Sequence, residues 1–131
     1  KLKCWTRPGG WLVLSVPNAG SYEFRMFRDM WFALQLPTHL THFTPDTIEK
    51  TLSLAGWRLE HIFHQQNLDN LIASFGYRLR ATGKNRRLSE ALIRFPETPS
   101  WLHYALFPAA TVASWFGQTG RMTVWARKPE T

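Results

Sequence analysis

Cysteine is almost missing from this chain: Cys4 is the only one in 131 residues. A single thiol excludes an intramolecular disulfide framework and any multi-cysteine zinc site, and it fits a reducing compartment, so a cytoplasmic location is expected. Long clean hydrophobic runs are missing as well. The most apolar stretch, Trp101 to Gly117, is interrupted by His103, Tyr104, Pro108 and Ser114. It stops short of the ~20 residues that a spanning helix needs, which leaves an interfacial helix open. The opening residues Lys1 to Arg7 lead into Pro8-Gly9-Gly10 and not into an apolar core with a small-residue cleavage site, so no secretory signal is expected. Internal repeats and low-complexity tracts are absent, and residues 1–131 read as one domain.

Acidic residues are scarce: nine Asp and Glu stand against sixteen Lys and Arg, for a net charge of +7. Such an excess attracts phosphates or anionic lipid without specificity. Arg78, Arg80, Lys84, Arg86, Arg87 and Arg94 concentrate around Ala81–Asn85 with only Glu90 among them. The interleaved aromatics of single-strand binders are sparse there, so a solvated loop is expected and no specific nucleic acid. A basic module for nucleic acid or an anionic membrane surface is the alternative function class. What the chain has in quantity is aromatic: seven Trp and nine Phe need either a core or a partner surface.

Trp11 to Val16 is a near-continuous apolar run between Pro8-Gly9-Gly10 and Pro17-Asn18, the pattern of a central strand covered on both faces with a parallel neighbour. Phe24, Phe27, Trp31 and Leu34 follow at helical steps, predicting a helix over Tyr22 to Leu36. Pro37 cannot continue it, so Leu36 to Phe43 is a loop. Thr44-Pro45-Asp46 then starts a helix with a cap, a proline at its first position and an acid at the positive dipole end. Ile48, Leu52 and Ala55 form its expected buried face and Gly56 its left-handed stop. Trp57 to Gln65 predicts a strand with Trp57, Leu59, His61 and Phe63 on one face and Arg58, Glu60, Ile62 and His64 on the other. Helices are expected over Leu68–Arg80 despite Gly76, over Leu88–Arg94, and over Trp101–Phe116 with a break or kink at Pro108. Arg121 to Arg127 alternates as a last strand. Strands interleaved with helices indicate α/β architecture.

Three passages in this order resemble the second half of the class I S-adenosylmethionine-dependent methyltransferases. Arg7-Pro8-Gly9-Gly10, the apolar strand and Pro17-Asn18 are similar to the family's passage around its fifth strand. Leu36-Pro37-Thr38-His39-Leu40-Thr41-His42-Phe43-Thr44-Pro45 is similar to its P-x-H-x-x-H-F-(T/S)-P lead into a helix that ends here in Ala55-Gly56-Trp57. Gly120-Arg121 and the strand through Lys128 are similar to its closing strand. The resemblance implies a partial Rossmann-like fold: a small mixed three-stranded sheet with flanking helices, the last strand antiparallel between two parallel ones. It implies S-adenosylmethionine as cofactor, bound mainly by a front half that this chain lacks. No Gly-x-Gly element opens a helix, and Gly9-Gly10 precedes a strand; no cofactor-binding residue is assigned here, and the chain alone is expected to be inactive. The first strand would also have lost a neighbour, so a homodimer through the free edge of residues 11–16 is expected.

Asn18 ends the first strand at its carboxyl edge, where open α/β sheets place ligands; it either lines the acceptor side or bonds its own turn. By resemblance His39, His42 and Phe43 lie on a loop close to the substrate pocket, where a histidine orients an acceptor or takes its proton. The competing reading is that the two histidines pack the loop against the helix that begins at Pro45. Tyr22 and Arg25 offer acceptor contacts from the first helix. The acceptor is expected to be a small molecule, apolar if the aromatic segment after Trp101 covers it. His39-x-x-His42 and His61-x-x-His64 do not make a metal site, since His61 and His64 fall on opposite faces of a strand. Cys4, with Lys3 and Arg7 near in sequence, has no base to make it a nucleophile.

Overall fold

Trp11–Pro17, Arg58–His64 and Arg121–Arg127 form strands β1, β2 and β3 of one sheet in the computed structural model, which describes residues 1–130. The order is β1-β3-β2. Both pairings are antiparallel, so the last strand is inserted between two that run the same way, as the resemblance implied. A parallel ladder is not part of this sheet; the parallel contact is an isolated bridge between Asn18 and Phe43 just beyond the end of β1. The mixed sheet is therefore corrected to an antiparallel one in its pairings, because β3 separates the two co-directional strands.

Register decides which side chains meet. Leu12, Leu14 and Val16 of β1 lie opposite Ala126, Val124 and Met122 of β3, and helix α3 (Pro45–Leu54) covers this face. Ile48, Leu52, Trp57, Met122, Val124 and Ala126 are its buried centre, with Phe43, Leu59 and Ile62 packed around them. On the other face Trp11, Val13, Phe63 and Trp125 stay 42–52% exposed. Trp11 and Trp125 meet edge to face at 6.1 Å, with the Arg127 guanidinium 5.7 Å from the Trp11 ring. The reading of β1 as a central strand covered on both faces is thus corrected. It is an edge strand paired with β3 alone, and an apolar run reports a capacity for burial, which only a covering element realises.

β2 changes phase in the middle. Leu59 lies opposite Ala126, but His61 lies opposite Trp125, with an irregularity at the residue between them. That extra residue puts Leu59 and Ile62 on the core face and His61 and Phe63 on the open one, where strict alternation had grouped Leu59 with His61 and Phe63. Trp57 precedes the strand and is buried.

α3 begins as its sequence dictates. Thr44 Oγ1 accepts the Thr47 N–H at 3.2 Å while Thr47 Oγ1 accepts the Thr44 N–H at 2.8 Å, with Pro45 in the first turn. Gly56 follows at φ +74°. Ala55, expected in the buried face, is exposed because the helix has ended there.

The helix expected over Tyr22–Leu36 is cut short. After a four-residue helix α1 (Leu2–Trp5) and β1, helix α2 spans only Tyr22–Phe27. Arg28 turns to φ +50°, and 3-10 turns at Arg28–Met30 and Phe32–Leu34 follow. Trp31 between them is extended, which lets it bury with Phe27 and Ala33 against Phe24 and Leu71. The Phe32 N–H donates to Ser74 Oγ at 2.9 Å, tying this segment to helix α4 (Asp69–Ala81). Apolar spacing matched a helix, but burial of the indole won.

α4 packs along α5 (Arg86–Ile93), and Gly76 is what lets them touch. A Cβ at Gly76 would stand 2.8 Å from both the Cγ1 and the backbone nitrogen of Ile93. A 3-10 turn at Phe95–Glu97 leads to α6 (Trp101–Trp115), which continues through Pro108 without a break. Pro108 is exposed, so a carbonyl freed by its ring can be hydrated. None of the helices is long and apolar enough to cross a membrane among the described residues.

Candidate functional site

The carboxyl ends of β1 and β2 meet the start of β3, and the polar side chains of the fold converge there. Pro17 pairs with Arg121, and the Gln65 N–H donates to the Arg121 carbonyl at 3.0 Å. A cavity of about 140 Å³ opens beside this junction, lined by Gln35, His39, Asn67, Asp69, Asn70 and Arg121 among others. A second hollow of about 180 Å³ lies under α6. It is mainly apolar, with Leu68, Leu106, Phe107 and Ala110, and it shares Asn67 and Asp69 with the first.

Asp69 stands between the two. Burial pushes its carboxyl pKa up, against the lowering effects of His103 and Arg121. His103 Nε2 is 3.5 Å from Asp69 Oδ1, while His103 Nδ1 lies 2.9 Å from the Ser100 carbonyl and its ring stacks on Phe95 at 4.2 Å. A carbonyl accepts, so Nδ1 carries a proton, and the Nε2–Asp69 contact is attractive only when one more proton sits on either partner. The two side chains thus stand in contact at the wall of a polar cavity.

A second acid lies behind that wall. Glu23 of α2 is 2% exposed. Burial raises its pKa to about 7, against the Gly120 backbone and the Trp31 indole, which lower it, and with a smaller push upward from Asp69. Neither carboxyl oxygen has a partner in hydrogen-bonding geometry among the described residues, and there the buried Trp31 Nε1, Asn70 Nδ2 and Thr119 Oγ1 also lack one. The nearby Gly120 and Trp31 groups therefore act on Glu23 as oriented dipoles rather than as full hydrogen bonds. Gly120 makes the convergence geometrically allowed: a Cβ there would collide with Glu23 Oε2 and sit 3.1 Å from Asn70 Nδ2. Asn70 thus joins the cavity to the buried acid.

The six residues singled out from sequence are distributed unevenly around this site. His39 lines the cavity, with Nδ1 3.2 Å from the Ala33 carbonyl. His42 Nε2 is 2.9 Å from the Leu34 carbonyl, and its ring meets His39 edge to face at 6.3 Å. Both histidines hold the loop against the 31–34 segment rather than against α3. Phe43 packs on the sheet core, and its carbonyl accepts the Ala19 N–H at 2.8 Å. Asn18 is fully buried. Its Nδ2 donates to the carbonyls of Gly117 at 3.0 Å and Thr119 at 3.2 Å, and its Oδ1 accepts the Gly20 N–H at 3.0 Å. It ties the end of β1 to the segment that enters β3. Tyr22 is on the surface, and Arg25 donates to Gln118 Oε1 at 2.7 Å on the exposed side of α2.

Glu23, Asp69, Asn70, His103 and Arg121 were not singled out from sequence. For Asp69 and Asn70 a signal exists: Gln66-Asn67-Leu68-Asp69-Asn70 directly follows the expected strand Trp57–Gln65, at the sheet edge where ligands bind. Glu23 carried none, since an acid in the first turn of a helix is ordinary. No group of three or more His, Cys, Asp or Glu positioned to hold a metal ion occurs among the described residues.

Residues 1–62 match a family model described as a methyltransferase domain. No curated protein and no solved structure matches the chain. The matched segment holds β1, Asn18, Glu23, the His39–Phe43 loop and α3, while Asp69, His103 and Arg121 lie beyond it. The match falls on the segment that holds the Pro8-Gly9-Gly10, Pro17-Asn18 and His39–Pro45 passages, so over residues 1–62 the chain is similar to a methyltransferase domain.

Proposed function

We propose that this chain is the acceptor-binding side of a class I, S-adenosylmethionine-dependent methyltransferase with a Rossmann-like sheet, working in the cytoplasm and inactive by itself. The observation that carries the reading is the polar cavity at the carboxyl ends of β1 and β2, delivered by a chain whose first 62 residues match a methyltransferase domain. His39 and Arg121 are placed to orient a polar acceptor group, and Asp69, backed by His103, is placed to take the proton such a group loses. The apolar hollow under α6 suits an acceptor with an apolar part next to its reacting end. Alignment accounts for much of the rate in a transfer of this type, so a rigid wall with one proton acceptor is a sufficient contribution.

The Gly9-Gly10 pair is not read as a cofactor cradle. Gly9 and Gly10 lie at the start of β1, the far end from the cavity, where their N–H groups donate to the carbonyls of Lys128 and Arg7. They close a turn against the end of β3 and offer no cradle for a ligand. The free edge of β1 and the open sheet face are the surfaces on which further strands and helices of a complete domain would sit, and the β1 edge of this chain is proposed to self-associate.

Calorimetric titration of S-adenosylmethionine, and separately of its demethylated product, into the chain tests this division of labour. Absence of binding is expected. Micromolar binding would overturn it, because a cofactor site would then exist within these residues.

A further inference from the structure

Helix α6 is built inside out for a helix at a water surface. Its inner side, toward the rest of the fold, carries His103, Leu106, Ala110 and Ser114. Its outer side carries Trp101, Tyr104, Pro108, Val112 and Trp115, at steps of three, four, four and three residues, so they form one stripe along the helix. Trp101, Tyr104 and Trp115 are 73%, 84% and 74% exposed, and Phe116 follows at 72%. The helix has no Asp, Glu, Lys or Arg among its 15 residues. A surface helix normally turns its charged side to water and its apolar side inward; here the outward side is the more apolar.

Charge indicates what covers it. No acidic residue occurs from Thr98 through Pro129, so α6 itself carries no charge that repels an anionic surface, and the nearest acid before it in sequence is Glu97 in the preceding turn. The α4–α5 hairpin, joined to α6 through the Phe95–Glu97 turn and the Phe95–His103 stack, carries the six basic side chains between Arg78 and Arg94. Arg80, Lys84 and Arg86 of that group line one open hollow of about 360 Å³, and the single acid between Arg78 and Arg94, Glu90, is ion-paired with Arg86. Tryptophan and tyrosine are the side chains that favour the boundary between headgroups and acyl chains. Nucleic acid is the poorer match, because single-strand binders interleave their aromatics with cations and α6 has none.

We propose that α6 is an in-plane anchor for an anionic lipid surface, with Trp101, Tyr104, Val112 and Trp115 entering the headgroup boundary and the α4–α5 hairpin supplying the electrostatic attraction. The inference goes beyond the methyl-acceptor reading and does not rest on it. Its test is co-sedimentation of the full chain with phosphatidylcholine vesicles, with and without about 30% phosphatidylserine. The chain is expected to bind the anionic vesicles and to lose affinity as NaCl is raised from about 0.1 to 0.5 M. Trp101→Ser with Trp115→Ser, both exposed positions, should weaken partitioning by at least about tenfold with an unchanged circular dichroism spectrum and melting curve. Arg86→Gln with Arg87→Gln should weaken binding to the anionic vesicles alone. Wild type left in the supernatant at saturating lipid would overturn the proposal. So would a double tryptophan variant that binds vesicles as well as wild type. A dimer dispersed by that variant, without vesicle binding, would assign α6 to a second copy, and single-stranded RNA bound in preference to vesicles would assign the basic hairpin to nucleic acid.

Discussion

Replacing Glu23 with glutamine keeps the shape of a buried side chain and removes its charge, and the consequence is a change in how stability depends on pH. Burial raises the folded-state pKa from 4.5 to about 7. In the unfolded chain the group is solvated and ionises near its ordinary value. Between those two values the folded protein therefore binds more protons than the unfolded one, and stability falls as pH rises. Glu23 costs nothing below the unfolded pKa, costs progressively more from about 4.5 to about 7, and costs a constant amount above. At 1.36 kcal/mol per pKa unit the full cost is about 3 kcal/mol. Glu23→Gln has no such dependence. Urea unfolding of both proteins across about pH 4 to 8 should give a stability difference that shifts by about 3 kcal/mol in favour of the variant from the acid end to the alkaline end. Any difference in packing between acid and amide adds a constant and leaves this shift unchanged, and titrating groups not coupled to Glu23 cancel in the comparison, with Asp69 leaving only the smaller residue of its coupling. A difference that is flat with pH would refute the claim that burial holds a proton on Glu23, and a shift of opposite sign would mean that the Gly120 and Trp31 dipoles outweigh burial.

Gly76→Ala should destabilise the protein by about 1 to 3 kcal/mol in thermal or urea unfolding, although alanine is the better helix former by about 1 kcal/mol, because its methyl meets the Ile93 backbone. A gain in stability would show that α4 and α5 can separate freely. Thr44→Ala should cost about 1 kcal/mol through loss of the cap on the Thr47 N–H, measured the same way. The unpaired edge of β1 should make the chain dimerise at high micromolar concentration, and a single monomeric boundary in sedimentation velocity would exclude self-association through that edge.

Much of this molecule is decided within a few residues of chain. Thr44-Pro45-Asp46 starts α3 and Gly56 ends it at positive φ because caps, proline and glycine act locally. The β3 span, Arg121–Arg127, follows from alternation of side chains that the sheet then accepts unchanged. Strand order was legible only through resemblance, since no local signal says that β3 lies between β1 and β2. Tertiary structure decided the rest wherever burial had to be negotiated between distant segments. The apolar spacing from Phe24 to Leu34 promised one helix, but the pocket for Trp31 lies where a helix would not carry it, so the chain turns at Arg28. Alternation holds in β2 on each side of Glu60 and fails across it, because a bulge depends on the partner strand. The candidate site shows the same division. His39 was visible in its loop, but Glu23, Asp69, His103 and Arg121 are ordinary surface residues until the fold brings helix starts, a strand start and a loop to one sheet edge and removes the water around them. Sequence determines which groups are available and how each short segment turns; burial, and with it the chemistry of a carboxyl group, depends on what the whole chain places above it.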